Sequence, residues 1–497
     1  ADFLRPGGLL GLNLDGSGVT VGVWDGGRVR DTHVEFVDTS GTSRVTFGDS
    51  ATNLNDHATH VAGTIAAEGD NPSARGMANQ VNIVSYDFFN DINELNAAGS
   101  SLNLSNHSYG FLTGWGSFVS IPSYLGLGNF ADFWIEQADS YNEDRDFGKY
   151  SNITSALDQT LYNNPNLLSI WAAGNDRDDQ FNNLRGDGKY AAFLSNNTVP
   201  PSPNLPPNGL YLIDSAVIPA PLPDGNQGTG YDSLTPHQVA KNTLVVGAIN
   251  DITVDPYNNT NVNMSAFSNW GPTDDGRMKP DVVANGVNLT SPIAGSNTSY
   301  ASYSGTSMAA PNVTGTAALL YEHYDDLFSA TPNSATMKGL LIHTATDAGN
   351  IGPDYTYGWG VVDGAAAADF LSQASLNPNP IPPTNPNPPN IPNPKLNETV
   401  IIEGTYTGSP ITFNLDEFLP LPSQLPPGGL GSDAFPTGPL KAPLVWTDPA
   451  GTAHGNGLDE TTPVLVNDLD LSITAPNGDT YNPWTLDPNN PTNAAVR

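Results

Sequence analysis

Up to about residue 371, short apolar runs alternate with stretches of helical character. Val19-Thr20-Val21-Gly22-Val23-Trp24, Val81-Asn82-Ile83-Val84, Leu167-Leu168-Ser169-Ile170-Trp171 and Leu244-Val245-Val246-Gly247-Ala248-Ile249 are predominantly apolar, with no regular polar position on one face. Runs of this kind predict strands buried on both faces, as a parallel sheet covered by helices requires. Between them, His60 to Glu68, Ile153 to Tyr162, Ser307 to Tyr324 and Ala335 to Thr346 predict helices. The alternation predicts a doubly wound, mostly parallel α/β domain over residues 1–371. Two stretches interrupt it: 111–150, rich in aromatic and acidic residues, and 177–240, which contains Pro200-Pro201-Ser202-Pro203 and Asn204-Leu205-Pro206-Pro207. Both read as long ordered insertions. Residues 372–398, with Asn377-Pro378-Asn379-Pro380 and Asn387-Pro388-Pro389, predict a semi-rigid polyproline-like spacer. Period-2 runs follow it: Thr399-Val400-Ile401-Ile402, Pro443-Leu444-Val445-Trp446-Thr447 and Asp470-Leu471-Ser472-Ile473-Thr474, with a turn signal at Pro476-Asn477-Gly478. They predict a small all-β sandwich or jelly roll over 399–497.

Composition narrows the function classes. The chain has 497 residues, long enough for two or three domains. Its 51 acidic and 17 basic side chains leave a net charge of −34, which opposes binding to nucleic acid or anionic membranes. With 38% hydrophobic residues it packs a core in spite of that charge. The absence of cysteine excludes disulfides, thiol catalysis and Cys-ligated zinc. No run reaches the ~18 apolar residues that a membrane span needs. The start at Ala1, without Met or a basic-plus-apolar leader, is expected of a mature, secreted product, and equally of any trimmed boundary. The acidic excess fits a saline medium or calcium-rich surroundings, and composition does not separate these.

Three local signals carry chemistry. Val23-Trp24-Asp25-Gly26-Gly27 places a carboxylate at the carboxyl end of a buried strand, where open α/β sheets bind ligands. A turn Asp before two glycines has the same sequence. Asp56-His57-Ala58-Thr59-His60-Val61-Ala62-Gly63-Thr64 puts two histidines three apart at a helix start. A zinc pair is one reading, but no HExxH glutamate accompanies it. A general base at His57, with His60 as a buried structural partner, is the other. Ser304-Gly305-Thr306-Ser307-Met308-Ala309-Ala310-Pro311 sets a hydroxyl at the first turn of a helix, where free N–H groups favour an oxyanion. Pro311 is expected in that first turn, whose amides lack intrahelical partners. Ala309 stands where a GxSxG elbow needs its second glycine. A helix-capping serine is the competing reading.

The order Asp, His, Ser is one of the arrangements of the nucleophilic triad. Through Val-Trp-Asp-Gly, His-x-Thr-His-Val-Ala-Gly-Thr and Gly-Thr-Ser-Met-Ala-Ala-Pro, the chain resembles the subtilisin-like serine proteases, the subtilases (peptidase S8). Lys279-Pro280-Asp281-Val282-Val283-Ala284 and Tyr357-Gly358-Trp359-Gly360 extend the resemblance over nearly all of 1–371. Ala442-Pro443-Leu444-Val445-Trp446-Thr447-Asp448 and Leu465-Val466-Asn467-Asp468-Leu469-Asp470-Leu471 are similar to the oxidant-stable alkaline subgroup, which carries a C-terminal β-sandwich.

The resemblance implies Ser307 as nucleophile, His57 as general acid/base and Asp25 as the group orienting the imidazole. It implies an oxyanion hole of the Asn175 side chain, from Ala172-Ala173-Gly174-Asn175, and the Ser307 N–H. Ser108, Tyr109 and Gly110 would pair with an extended substrate, and Trp171, Ala172, Ala173 and Gly174 would form the opposite wall of the pocket. Tyr109 reads equally well as core packing, and His107 as a loop residue or one standing behind the site. The resemblance also implies structural calcium, with ligands the sequence does not single out. Ala58 and Asn285 depart from the family's usual Gly and Pro. The expectation is a secreted endopeptidase acting on extracellular protein or peptide substrates. The alternatives are an inactive scaffold with a binding or adhesion β domain, and a metal-dependent hydrolase. Similar sequences continue with further strands beyond the segment near Trp484, so the β domain is expected to be completed by a cleaved C-terminal fragment, a further partner, or by a longer precursor.

Overall fold

The structure, a computed structural model, describes residues 1–38, 40–118, 131–134, 143–194, 209–253, 261–376, 399–412, 440–475 and 477–497. Of the spacer expected over 372–398, residues 372–375 instead end the helix Gly364–Ser375, since the helix-breaking prolines begin only at Pro378; 377–398, the proline runs at 200–207 and Pro476 lie outside the described residues.

The first half of the chain forms β1 (Thr20–Asp25), β2 (Val45–Phe47), α1 (Asp56–Ala66), β3 (Asn82–Asp87), α2 (Asp91–Ala98), β4 (Leu104–His107), β5 (Trp115–Phe118), β6 (Ala131–Trp134), α3 (Asn152–Asn163), β7 (Leu168–Ala172), β8 (Lys189–Leu194), β9 (Gly209–Asp214) and β10 (Leu244–Ile249). Then come β11 (Val282–Asn285), β12 (Leu289–Pro292), β13 (Tyr300–Tyr303), α4 (Thr306–Phe328), α5 (Ser334–Thr344), α6 (Gly364–Ser375), β14 (Ile473–Thr474) and β15 (Thr480–Tyr481).

Seven strands make one sheet in the order β11-β10-β7-β4-β1-β3-β2, and every neighbouring pair is parallel. One face packs on α1, α4, α5 and α6 through residues such as Val61, Val313, Met337 and Leu371. The other packs on α2 and α3 through Leu95, Leu157 and Leu161. Cover on both faces is why the strands read as continuous apolar runs.

β4 is the exception. Leu104-Ser105-Asn106-His107 is central and wholly buried, yet three of its four side chains are polar. They find partners sideways: Ser105 Oγ bonds Ser169 Oγ at 2.9 Å, and Asn106 Oδ1 accepts from Thr314 Oγ1 at 2.8 Å. The His107 ring stacks between Trp24 (5.1 Å) and Trp171 (4.1 Å). His107 is therefore a core strand residue, not the loop residue its sequence suggested.

The two insertions fold together. Strands β5 and β6 come from the first, β8 and β9 from the second, and they form a single sheet in the order β5-β6-β8-β9. Its own small core contains Trp115, Trp134, Tyr190 and Ile213.

The C-terminal region carries small β structure: the β14–β15 ladder and a bridge between Thr485 and Val496. Thr399–Ile402 and Pro443–Thr447 have no ladder partner among the described residues. Instead Ile401 and Val445 pack onto the core of the α/β domain, which satisfies their alternating pattern without a facing sheet. Among the described residues, no helix is long and apolar enough to cross a membrane.

Candidate active site

Three adjacent strands, β1, β4 and β7, deliver the candidate residues to one edge of the sheet. Asp25 is the last residue of β1, Ser108 to Gly110 follow β4, and Ala173 to Asn175 follow β7. The helices α1 and α4 bring His57 and Ser307 to that edge from one face of the sheet.

Helix α1 starts where Asn55 caps it, its side chain accepting from the Ala58 N–H at 2.9 Å. The same Asn55 donates to the Gly26 carbonyl at 3.2 Å, tying the helix start to the end of β1. His57 then lies with Nδ1 2.9 and 2.8 Å from the two carboxylate oxygens of Asp25. Asp25 is 4% exposed at its side chain and His57 37%, so the pair has a dry end and a wet end. Burial alone would lower the imidazole pKa, but the charge and hydrogen bond of Asp25 outweigh it and leave His57 above its ordinary value. His60 points elsewhere: its Nε2 meets the Leu289 carbonyl at 3.0 Å and its ring stacks on Tyr303 at 4.5 Å. Burial drops it to about 4. The two histidines do not share a metal-ligating face.

Ser307 is the second residue of α4, where no intrahelical acceptor exists for its N–H. Its Oγ donates to the Ser108 carbonyl at 3.0 Å, and among the described residues it has no hydrogen bond to His57. The Ser108 hydroxyl in return donates to the Ser307 carbonyl at 3.1 Å. That carbonyl is available because Pro311, four residues on, has no N–H to offer it. Pro311 therefore lies in the second turn of α4, not the first as expected, and Ser108 replaces the missing helical bond.

Asn175 is oriented by its acceptor end. Its Oδ1 takes the Thr306 N–H at 2.8 Å and the Thr306 hydroxyl at 2.9 Å, which leaves the Nδ2 donors directed away from them. Gly174, at φ +104°, makes the turn; a Cβ there would fall 2.3 Å from Asn269 Nδ2. Thr306 and Asn55 were not singled out from the sequence. The only available signal was position, Thr306 inside the Gly-Thr-Ser motif and Asn55 before a helix.

The pocket residues divide. Gly110 is exposed, and its backbone N–H and C=O have no hydrogen-bond partner among the described residues. The Tyr109 carbonyl is taken by Gln238 at 3.1 Å and its hydroxyl donates to Asp91 at 2.8 Å. Trp171 is 0% exposed, stacked on His107 and His237, and Ala172 and Ala173 are buried as well. The Trp171 side chain therefore supports the site from beneath and does not line it, because both faces of its strand are covered. Exposed apolar side chains that the sequence did not flag flank the edge: Phe88 and Phe89 after β3, Phe111 and Leu112 after β4.

A parallel sheet covered by helices on both faces, with these groups gathered beyond its strand ends, defines a subtilisin-like α/β protein. The CspB protease of Clostridium perfringens shares that fold, at TM-score 0.50 and 19% identity, covering 72% of this chain and 96% of that one. The subtilase family model matches residues 16–360, and the chain belongs to the subtilase family. Subtilisin DY of Bacillus licheniformis is 25% identical over 370 residues, 74% of this chain and 95% of that protein. The M-protease of Shouchella clausii (strain KSM-K16) is 28% identical over 354 residues, 71% of this chain and 65% of that protein. The C5a peptidase of Streptococcus pyogenes is 42% identical over 86 residues, and this match spans 17% of this chain but only 7% of that protein's length.

Proposed function

We propose that this chain is a secreted serine endopeptidase that hydrolyses peptide bonds of extracellular proteins through Asp25, His57 and Ser307. The observation that carries the reading is the Asp25–His57 pair, bonded at 2.8 Å, on the same sheet edge as a helix-start serine and an amide locked by Thr306.

The chemistry follows from these groups. Ser307 Oγ turns by one rotamer from the Ser108 carbonyl toward His57 Nε2 and attacks the scissile carbonyl carbon while the imidazole takes its proton. Asp25 holds the Nδ1–H tautomer and stabilises the cation that forms. The tetrahedral oxyanion accepts from Asn175 Nδ2 and the Ser307 N–H. Collapse breaks the C–N bond, His57 protonates the leaving amine, and Ser307 is left acylated. Water then gives a proton to His57 and attacks the ester, which releases the acid and restores the serine. Apo hydrogen bonds of nucleophiles are commonly misaligned and tighten with substrate, so the Ser307–Ser108 bond is compatible with this sequence.

Gly110 offers the backbone edge for strand addition by an extended substrate. The Phe88, Phe89, Phe111 and Leu112 wall supports apolar residues on the acyl side of the cut. Calcium, as the family implies, belongs to the reading as a structural ion. The test is hydrolysis of casein and of extended chromogenic peptides. The wild type is expected to clear both, and Ser307→Ala neither; clearing by Ser307→Ala would reject the assignment.

A further inference from the structure

Away from the sheet edge, acidic side chains from four separate parts of the chain meet, and three of them are buried with carboxylate oxygens that have no hydrogen-bonding partner among the described residues. Glu143 comes from the end of the first insertion, Asp232 from the end of the second, Asp274 from the β10–β11 connection and Asp459 from the C-terminal segment. Oxygens of Glu143, Asp232 and Asp459 lie within 4.8 Å of one another. Glu143 is 3% and Asp232 5% exposed. Glu143 Oε1, Asp232 Oδ1 and both oxygens of Asp274 are buried without a hydrogen bond among the described residues.

Asp274 is the independent witness. Its side chain is 1% exposed, yet neither oxygen has a hydrogen bond among the described residues. The close approach is built into the backbone: a Cβ on Gly148 would fall 2.1 Å from Asp232 Oδ1 and 2.3 Å from Asp274 Oδ1. A bare pair of buried carboxylates in that position is costly unless a positive charge joins them. The neighbouring cations are engaged elsewhere, Lys149 with Asp146 and Arg277 with Asp275. His454 donates from Nε2 to the Thr462 carbonyl and brings Nδ1 to 3.9 Å from Asp274 Oδ2. Even when protonated it offsets one negative charge of four.

We propose that Glu143, Asp232, Asp274 and Asp459 bind one calcium-sized divalent cation that fastens both insertions and the C-terminal segment to the α/β domain. The donors are all hard oxygens, which select calcium over zinc or copper. Two oxygens bound to one calcium at about 2.3–2.6 Å lie at most roughly 5 Å apart, and the separations among Glu143, Asp232 and Asp459 satisfy that limit, with Asp274 Oδ1 beside Asp232 Oδ1 over Gly148. Because its ligands are distant in sequence, the ion would bind the folded chain and not the unfolded one, and so stabilise it by mass action. The proposal is independent of the peptidase reading, and its test needs no activity.

The experiment uses the full chain carrying Ser307→Ala, which removes self-digestion, after exhaustive EDTA treatment. Calcium is titrated calorimetrically into this parent, into Asp232→Asn/Asp274→Asn, and into the milder Asp459→Asn. The double variant is expected to bind one calcium fewer than the parent. Asp459→Asn should weaken that site at least tenfold. Hydrogen exchange in 446–467 should slow on calcium addition in the parent only. In EDTA the double variant should melt no lower than the parent, because its like charges are gone. Equal stoichiometry in parent and double variant, or a site that takes zinc but not calcium, overturns the proposal.

Discussion

Asn175 has its acceptor end consumed by Thr306, so the side chain has one rotational choice and its donors are presented before any substrate arrives. Loss of one preorganised oxyanion donor costs about 10²–10³ in turnover in subtilisin. Asn175→Leu should lower kcat by that factor with KM little changed, in steady-state cleavage of a chromogenic peptide. The elevated pKa of His57 has a signed consequence as well. The imidazole must be neutral to accept the Ser307 proton, so kcat/KM should rise with pH along a limb whose midpoint lies above 6.5. Asp25→Asn removes the charge that raises it, moves the limb to lower pH and reduces turnover by roughly 10⁴. For stability the sign is opposite. The stabilisation from the charged pair is complete below pH 6.5 and is lost as pH rises through the folded pKa. Asp25, His57 and Ser307 were legible because each sits in a short local motif whose residue types the chemistry demands. Thr306, Asn55 and the Ser108 hydroxyl were not, because each acts on a residue that only the fold, or the exact helix boundary, brings to it.

At the scale of elements, the start of α4 is joined to the end of β4 by the two reciprocal Ser108–Ser307 bonds. Ser108→Ala leaves the buried Ser307 carbonyl without a donor, which costs about 1–3 kcal/mol. Pro311→Ala restores an N–H four residues along the helix, so that carbonyl regains its helical partner. Denaturant unfolding of the single and double variants should therefore show coupling: Ser108→Ala is expected to cost markedly less in the Pro311→Ala background. Additive losses would mean that Ser108 does not stand in for the missing helical bond. The same local chemistry explains which elements the pattern revealed. The strands β1, β3, β7 and β10 each carry a predominantly apolar run and were readable. β4 is just as buried but satisfies Ser105, Asn106 and His107 through neighbouring strands and α4, so no periodicity marks it. The joint sheet of the insertions was hidden because its pairing crosses between two distant segments.

For the molecule as a whole, the C-terminal segment is clasped to the α/β domain by Lys241. Its ammonium donates to Asp448 at 2.6 Å and to the Val464 carbonyl at 3.1 Å. Asp448 also accepts from the Val466 and Asn467 N–H groups at 2.9 Å. Both side chains of the ion pair are nearly wholly buried, 3% and 2% exposed, so Lys241→Ala strands a buried carboxylate and should cost about 3–5 kcal/mol. Calorimetric unfolding, with limited proteolysis reporting early release of 446–467, checks this. The α/β architecture was legible from its alternation of runs, whereas the docking of the C-terminal segment was not: Ile401 and Val445 alternate as strand residues do, yet they face another part of the chain. Covalent capture asks whether Ser307 is a nucleophile activated by His57. After treatment with a fluorophosphonate, peptide mass spectrometry should find the adduct on Ser307, with labelling lost in Ser307→Ala and slowed by orders of magnitude in His57→Ala. An adduct on another residue, or labelling that persists in Ser307→Ala, would contradict it.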